Sequence, residues 1–151
     1  MVITYEVGNI LGTLSEVLIN PVNTVGVMGA GLAKQIAATY PVMYLEYKRR
    51  CKKGEVTIGS MDIHMVANTL TASQFVWNFP TKKHWNEPSK VDYIEAGITN
   101  MCDLLELFHI PSVAIPKIGC GLGGLDWGIV KPLLINSLNS ITSDLMVQIY
   151  E

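Results

Sequence analysis

At 151 residues, 49% hydrophobic and 16% charged, the chain has material for one ordinary core, too little for two comfortable ones and too much apolar patterning for disorder. A net charge of −2 and a pI near 5.9 argue against a protein that coats nucleic acid through a broad basic surface, so any contact with DNA or RNA is expected to be local. Three irregularly spaced cysteines, Cys51, Cys102 and Cys120, form no C-x-x-C pair and fit a reducing, cytoplasmic setting.

Val2 to Val7 reads as a strand without a basic leader, and no apolar run approaches the length of a bilayer span, so a soluble protein with no membrane partner is expected. Gly8-Asn9-Ile10 turns the chain, and Glu16 to Asn20 carries a second apolar run into Pro21. A glycine-rich loop, Gly26-Val27-Met28-Gly29-Ala30-Gly31, follows. Beyond it Leu32, Ile36 and Tyr40 fall at helical spacing, and Pro41 closes that helix and opens another that runs to Lys53 and stops at Gly54. Met61 to Val66 and Phe75 to Phe79 read as strands of a hairpin around a polar turn at Asn68 to Ser73. Pro80 to Pro88 is a polar connection. Ser89 is then placed to cap a long helix striped by Val91, Ile94, Ile98, Met101, Leu105 and Phe108. Ser112 to Ile118 is a strand delivering a second glycine-rich loop, Gly119-Cys120-Gly121-Leu122-Gly123-Gly124. Asp126 can cap the next helix, and Asp144 to Tyr150 makes a final strand. This alternation predicts a single α/β domain, a three-layer α/β/α sandwich around a largely parallel sheet, with ligands beyond the carboxyl ends of the strands.

The two glycine-rich loops, each between a strand-like and a helix-like run, suggest a clamp for a diphosphate, because glycine lets an anion approach backbone N–H groups and a following helix adds unpaired donors. The first has the order G-x-x-G-x-G and lacks a closing lysine with a hydroxyl, which argues against a dinucleotide hydride carrier or a Walker ATPase. Asn20 and Asn23, just before it, either meet a ribose hydroxyl or hold the loop through backbone hydrogen bonds. Lys82, Lys83, His84 and Trp85 are either a solvated charge run or a lysine at the mouth of an anion site, acting as nucleophile or electrostatic stabiliser. The cluster Lys48, Arg49, Arg50, Lys52 and Lys53 is explained by a helix C-terminus. Cys120 has no histidine and acid placed beside it, Trp127 reads as helix packing, and His64 and His109 give no metal-ligand spacing, so no metal is expected.

At these residues the chain resembles a macrodomain, the ADP-ribose-binding α/β/α module, over essentially its whole length. Gly8-Asn9-Ile10, Asn20-Pro21-Val22-Asn23, the loop from Gly26 to Gly31 and Pro116-Lys117-Ile118-Gly119-Cys120-Gly121-Leu122 fall in the family's order. Val27 to Gly31, Asn78-Phe79-Pro80-Thr81-Lys82-Lys83-His84-Trp85 and Gly121 to Trp127 are similar to the branch of DarG-type antitoxins, which remove ADP-ribose from DNA bases, and of the terminal ADP-ribose protein glycohydrolases. The resemblance implies that Asn9 and Ile10 lie by the adenine and that Asn23 meets the distal ribose. Asn20, Gly26, Val27, Met28, Gly29, Gly31, Thr81, Ile118, Gly119, Cys120, Gly121, Leu122 and Gly123 would complete the ADP-ribose site. Lys82 matches the branch's catalytic lysine. In protein-directed relatives an aspartate of the second loop assists that lysine; the matching place here is Gly123.

These implications make an ADP-ribosylglycohydrolase acting on ADP-ribosylated DNA the first expectation, with the modified base single-stranded or extruded and the Lys82-to-Trp85 segment offering a cation and a stacking face. No cofactor is implied beyond ADP-ribose itself as ligand and product. An antitoxin role implies a cognate DNA-modifying toxin. The alternatives are an ADP-ribose 1″-phosphate phosphatase and a non-catalytic ADP-ribose reader.

Overall fold

Alternate residues along the strands belong to two different cores, and this sorts the chain into layers. A computed structural model describes residues 1–66 and 71–151. Its strands are β1 (Val2–Glu6), β2 (Val17–Asn23), β3 (Asp62–Met65), β4 (Phe75–Lys82), β5 (Ser112–Ile115) and β6 (Met146–Tyr150), and its helices are α1 (Gly31–Thr39), α2 (Pro41–Lys52), α3 (Val91–Leu107) and α4 (Trp127–Leu138). The sheet order is β1-β6-β5-β2-β4-β3, parallel throughout except for β3, which runs antiparallel to β4. Val17 and Ile19 pack with Trp77, Val113 and Ile115 against α3 and α4, whereas Leu18 and Val22 pack with Val76 and Ala114 against Ile36, Met43 and Tyr47 of α1 and α2. The expected three-layer sandwich is therefore present, and the β3–β4 hairpin forms. Its expected turn falls partly on residues 67–70, outside the described residues.

Two strands run further than their prolines suggest. β2 continues through Pro21 to Asn23 because β5 pairs with it only at Val17 and Leu18, so the side of β2 towards β5 has no ladder partner at Pro21. β4 continues through Pro80 to Lys82 for the same reason: its pairing with β3 ends at Asn78. The connection expected from Pro80 thus begins only after Lys82. The strand expected from Ser112 to Ile118 ends at Ile115, before Pro116.

The long helix α3 is capped differently from the sequence expectation. Its N-cap is Lys90, with no side-chain hydrogen bond, and Ser89 is buried, with its N–H given to the Gly123 carbonyl at 3.0 Å. Phe108 lies past the last helical residue and stays exposed. Asp126 does cap α4, its Oδ1 accepting from the Gly128 N–H at 2.9 Å. Gly97 lets α3 lie directly on β4, since a Cβ there would stand 2.3 Å from the Phe79 ring. Phe79 is thereby fixed three residues before Lys82. Among the described residues no helix is long and apolar enough to cross a membrane.

Candidate functional site

The first glycine-rich loop is held from beneath by α2. Asn23, the last residue of β2, folds its amide under the loop: Oδ1 accepts from the N–H groups of Val25 (3.1 Å) and Val27 (3.3 Å), and Nδ2 donates to the Val27 carbonyl (2.8 Å). The Tyr47 hydroxyl donates to the Asn23 carbonyl at 2.7 Å, and the Met28 N–H donates to the Tyr44 hydroxyl at 3.3 Å. At Gly26, φ is +87°, a conformation that favours glycine, although a Cβ there would make only ordinary contact, 3.5 Å from Lys48 Cα and Cys51 Cβ. The loop leads straight into α1, whose N-cap Ala30 supplies no side-chain acceptor. The first N–H groups of that helix are left for an anion.

The second loop turns on its own backbone. Gly119 takes φ +75°, and its carbonyl accepts from the Leu125 N–H at 3.0 Å. Gly123 has no space for a side chain, because a Cβ would stand 2.4 Å from the Gly119 carbonyl oxygen and 2.5 Å from Ser89 Oγ.

Both loops and the end of β4 meet. A Cβ on Gly31 would lie 3.8 Å from Leu122 Cδ1, which puts the two loops side by side. The Lys83 carbonyl accepts from the Thr24 N–H (3.2 Å) and Oγ1 (2.8 Å) beside the first loop, while Ser89 donates to Gly123 of the second. Lys82 is therefore carried on a segment stitched at both ends to the loops, and its Nζ donates to the Trp85 carbonyl at 3.1 Å. Alongside, a cavity of about 460 Å³ opens at the carboxyl ends of β1, β5 and β6, lined by Asn9, Ile10, Leu32, Pro116 and Tyr150 among others. An elongated ligand with one anionic middle fits this arrangement: a cavity for one end, backbone donors for the charge and a lysine at the rim.

The Macro domain family model matches residues 19–134, which contain both loops and the Lys82 segment. The chain belongs to the Macro domain family. This macrodomain is 44% identical over 139 residues to the DNA ADP-ribosyl glycohydrolase of Mycobacterium tuberculosis, an alignment covering 92% of this chain and 39% of that protein. The chain thus spans about two fifths of the length of such curated relatives. Its fold matches the macrodomain of Mycobacterium tuberculosis DarG with a TM-score of 0.90 at 41% identity, covering 97% of this chain and 96% of that one. It matches Thermosipho africanus DarTG in complex with ADP-ribose with a TM-score of 0.85 at 31% identity, covering 96% of this chain and 41% of that one.

Within the macrodomain the expected site residues divide by what they expose. Gly29, Gly31, Gly121, Leu122 and Val27 are open on the loops, and Asn9 is exposed at the cavity, its Oδ1 already accepting from the Leu11 N–H at 3.0 Å. Ile10 is buried in the cavity floor. Asn23 performs the loop-holding half of its two sequence readings. Met28 and Thr81 are buried, the Thr81 hydroxyl donating to the Val22 carbonyl at 3.2 Å. Ile118 is fully buried in the core, so its side chain is closed to a ligand. Asn20 is fully buried and turns its Nδ2 to Asn78 Oδ1 at 2.9 Å; its own Oδ1 has no hydrogen-bond partner among the described residues.

The rival residues are occupied elsewhere. Burial raises the Cys120 thiol, and pushes Cys51 to about 11 and Cys102 to about 12, so none is a ready thiolate. Arg49 pairs with Glu46, and Arg50 with Glu55 and Asp62, in keeping with a helix end. His64 bonds Asp62, and Trp127 packs on the core with its Nε1 on Glu151. Among the described residues no group of three His, Cys, Asp or Glu side chains is placed to hold a metal ion. The sequence reading missed Thr24, Tyr44, Tyr47 and Tyr150, which hold the first loop or line the cavity. Their signal is absent from any local motif, because each acts on residues far away in the chain.

Proposed function

We propose that this macrodomain is a glycohydrolase that removes ADP-ribose from nucleobases of DNA, with Lys82 as its catalytic residue. The stitching of the Lys82 segment between the two glycine-rich loops carries the reading: it ties the reacting end to the diphosphate cradle, so that binding energy from the remote groups orients the sugar. The names of the relatives, which specify DNA ADP-ribosyl glycohydrolase and a complex with ADP-ribose, support the substrate class.

In the proposed reaction the bond from the ribose C1″ to the base nitrogen breaks and water supplies hydroxyl to C1″ and a proton to the base. Positive charge grows on the sugar and negative charge on the departing base. A lysine ammonium serves the base by donating a hydrogen bond or its proton; a neutral amine would serve the sugar as nucleophile. The first role suits this chain better. The position from which an acid would assist a nucleophilic lysine is Gly123, where any side chain would collide with the Gly119 carbonyl. Asn9, Ile10 and the cavity would take the adenosine, and the backbone of both loops and the start of α1 the diphosphate. The reaction asks for no cofactor. By resemblance to the antitoxin branch, we place the chain in the cytoplasm with a DNA-modifying toxin as its counterpart.

The test is incubation with single-stranded DNA carrying ADP-ribose on one base. Release of free ADP-ribose is expected, and Lys82→Ala should abolish release while calorimetry still reports ADP-ribose binding. Undiminished turnover in that variant would refute the role of Lys82. Phosphate release from ADP-ribose 1″-phosphate, or tight binding without any turnover, would select a phosphatase or a reader instead.

A further inference from the structure

We infer that the segment from Lys83 to Tyr93 is the track for the nucleic-acid strand that flanks the modified base, with Trp85 stacking one neighbouring base and Lys83 and Lys90 holding its phosphates. The inference rests on the glycohydrolase reading and specifies how the polymer, as distinct from its ADP-ribose, is held. Three observations converge on it. Trp85 is 56% exposed, unusual for so large an apolar ring, and the ring of its neighbour His84 is tilted at 36° to it at a centroid distance of 5.4 Å. A flat face beside the catalytic lysine is left to solvent. Any aromatic base fits such a face, whatever its identity.

The second observation is electrostatic. Lys83 Nζ lies 5.8 Å and Lys90 Nζ 5.4 Å from the same Tyr93 ring centre, so two ammonium groups seven residues apart share one ring. Arg49, Arg50 and Lys131 all have carboxylate partners. Among the described residues, Lys82, Lys83 and Lys90 have no carboxylate within 4 Å. Residues 82–93 hold these three lysines against two acids, Glu87 and Asp92, in a chain whose overall charge is −2. Two ammonium groups around one ring make a local positive site, which a phosphodiester complements.

The third is mechanical. The Trp85 carbonyl is the acceptor for Lys82 Nζ, so the residue offered for stacking also positions the catalytic ammonium through its backbone. A base seated on Trp85 would brace the turn that presents Lys82. A modified polypeptide has no neighbouring nucleobase to stack on Trp85, and the track thus favours a single strand over a modified polypeptide.

Two readouts test this. In fluorescence anisotropy with a short unmodified single-stranded oligonucleotide, the wild type should bind with a salt dependence to which Lys83 and Lys90 contribute, and Lys83→Ala/Lys90→Ala should flatten the slope of log K against log salt by about 1.4, or 0.7 per phosphate contact. Trp85→Ala should weaken this binding about tenfold and Trp85→Phe should recover most of it. In turnover, Trp85→Ala should lower the ratio of kcat/KM for an ADP-ribosylated oligonucleotide over that for the ADP-ribosylated nucleoside by a similar factor. Equal oligonucleotide binding by wild type and variants, or an unchanged ratio, would overturn the track while leaving the glycohydrolase reading in place. Oligonucleotide binding that responds to the variants, without any ADP-ribose release, would keep the track and remove the glycohydrolase reading. Faster release from an ADP-ribosylated peptide than from the oligonucleotide would also overturn it.

Discussion

Asn20 and Asn78 stand opposite each other in the β2–β4 register and share a hydrogen bond of 2.9 Å inside the layer between the sheet and α2. The bond is one link of a buried polar line. Asn78 Nδ2 donates onward to Asp62 Oδ2 at 3.0 Å, and Asp62 receives Arg50 Nε at 2.6 Å and pairs with His64 Nε2 at 2.6 Å. Asn20 in turn lies against Met28 of the first glycine-rich loop, Nδ2 to sulfur 3.8 Å. The floor of the first glycine-rich loop is thus tied by side chains to the outer edge of the sheet. Asn78→Ala would strand Asn20 and remove a donor from Asp62, and should cost about 2–3 kcal/mol in urea unfolding. Stability equal to wild type would mean the line carries no energy.

The same line makes a pH prediction. Burial by itself would raise the Asp62 carboxyl, but hydrogen bonds from His64, Asn78 and Arg50 outweigh it and hold the group below its ordinary range. A carboxyl lowered in the folded state adds stability that is present above its unfolded pKa and is lost as pH falls through the folded value. The urea midpoint should therefore drop on acidification from about pH 6 to about pH 3, and Asp62→Asn should shrink that drop while lowering stability at neutral pH. Glu46, Glu106 and Glu151 are also lowered, but they are solvent-exposed and contribute little to the acid limb.

Gly123 gives a prediction that separates a lost acid from a forbidden one. If the second loop must keep the Gly119 carbonyl 2.4 Å from any Cβ at this position, Gly123→Ala and Gly123→Asp should both weaken ADP-ribose binding about tenfold, through strain of about 1–3 kcal/mol. Faster turnover in Gly123→Asp would show that the loop adapts and that an acidic helper can be restored.

Tyr47 supports the first loop through a single oxygen. Its hydroxyl lies 2.7 Å from the Asn23 carbonyl and 3.0 Å from Asn23 Oδ1, and its ring stacks with that of Tyr44. Tyr47→Phe keeps the ring and deletes the oxygen, so it should cost about 1–2 kcal/mol in thermal unfolding and lower ADP-ribose affinity several-fold by calorimetry. Unaltered affinity would show that the loop holds its shape without α2.

Local chemistry alone determined much of this molecule. The period of apolar residues gave α1 and α3; Pro41 and Gly54 bracketed α2 and Asp126 marked the start of α4; the glycines of both loops stood out by composition, since turns with positive φ leave that trace in any chain. Tertiary structure decided what those pieces meet. Pro21 and Pro80 stay within strands because β5 and β3 stop short of them, which depends on sheet order and not on the prolines. Thr24 reaches Lys83 across 59 residues, and Asn20 reaches Asn78 across 58. Ser89, placed by sequence as a helix cap, serves instead to bind the second loop. Periodicity records how a residue faces its own element; hydrogen bonds between distant segments are set by the order in which strands pack side by side, and no short stretch of sequence carries that order.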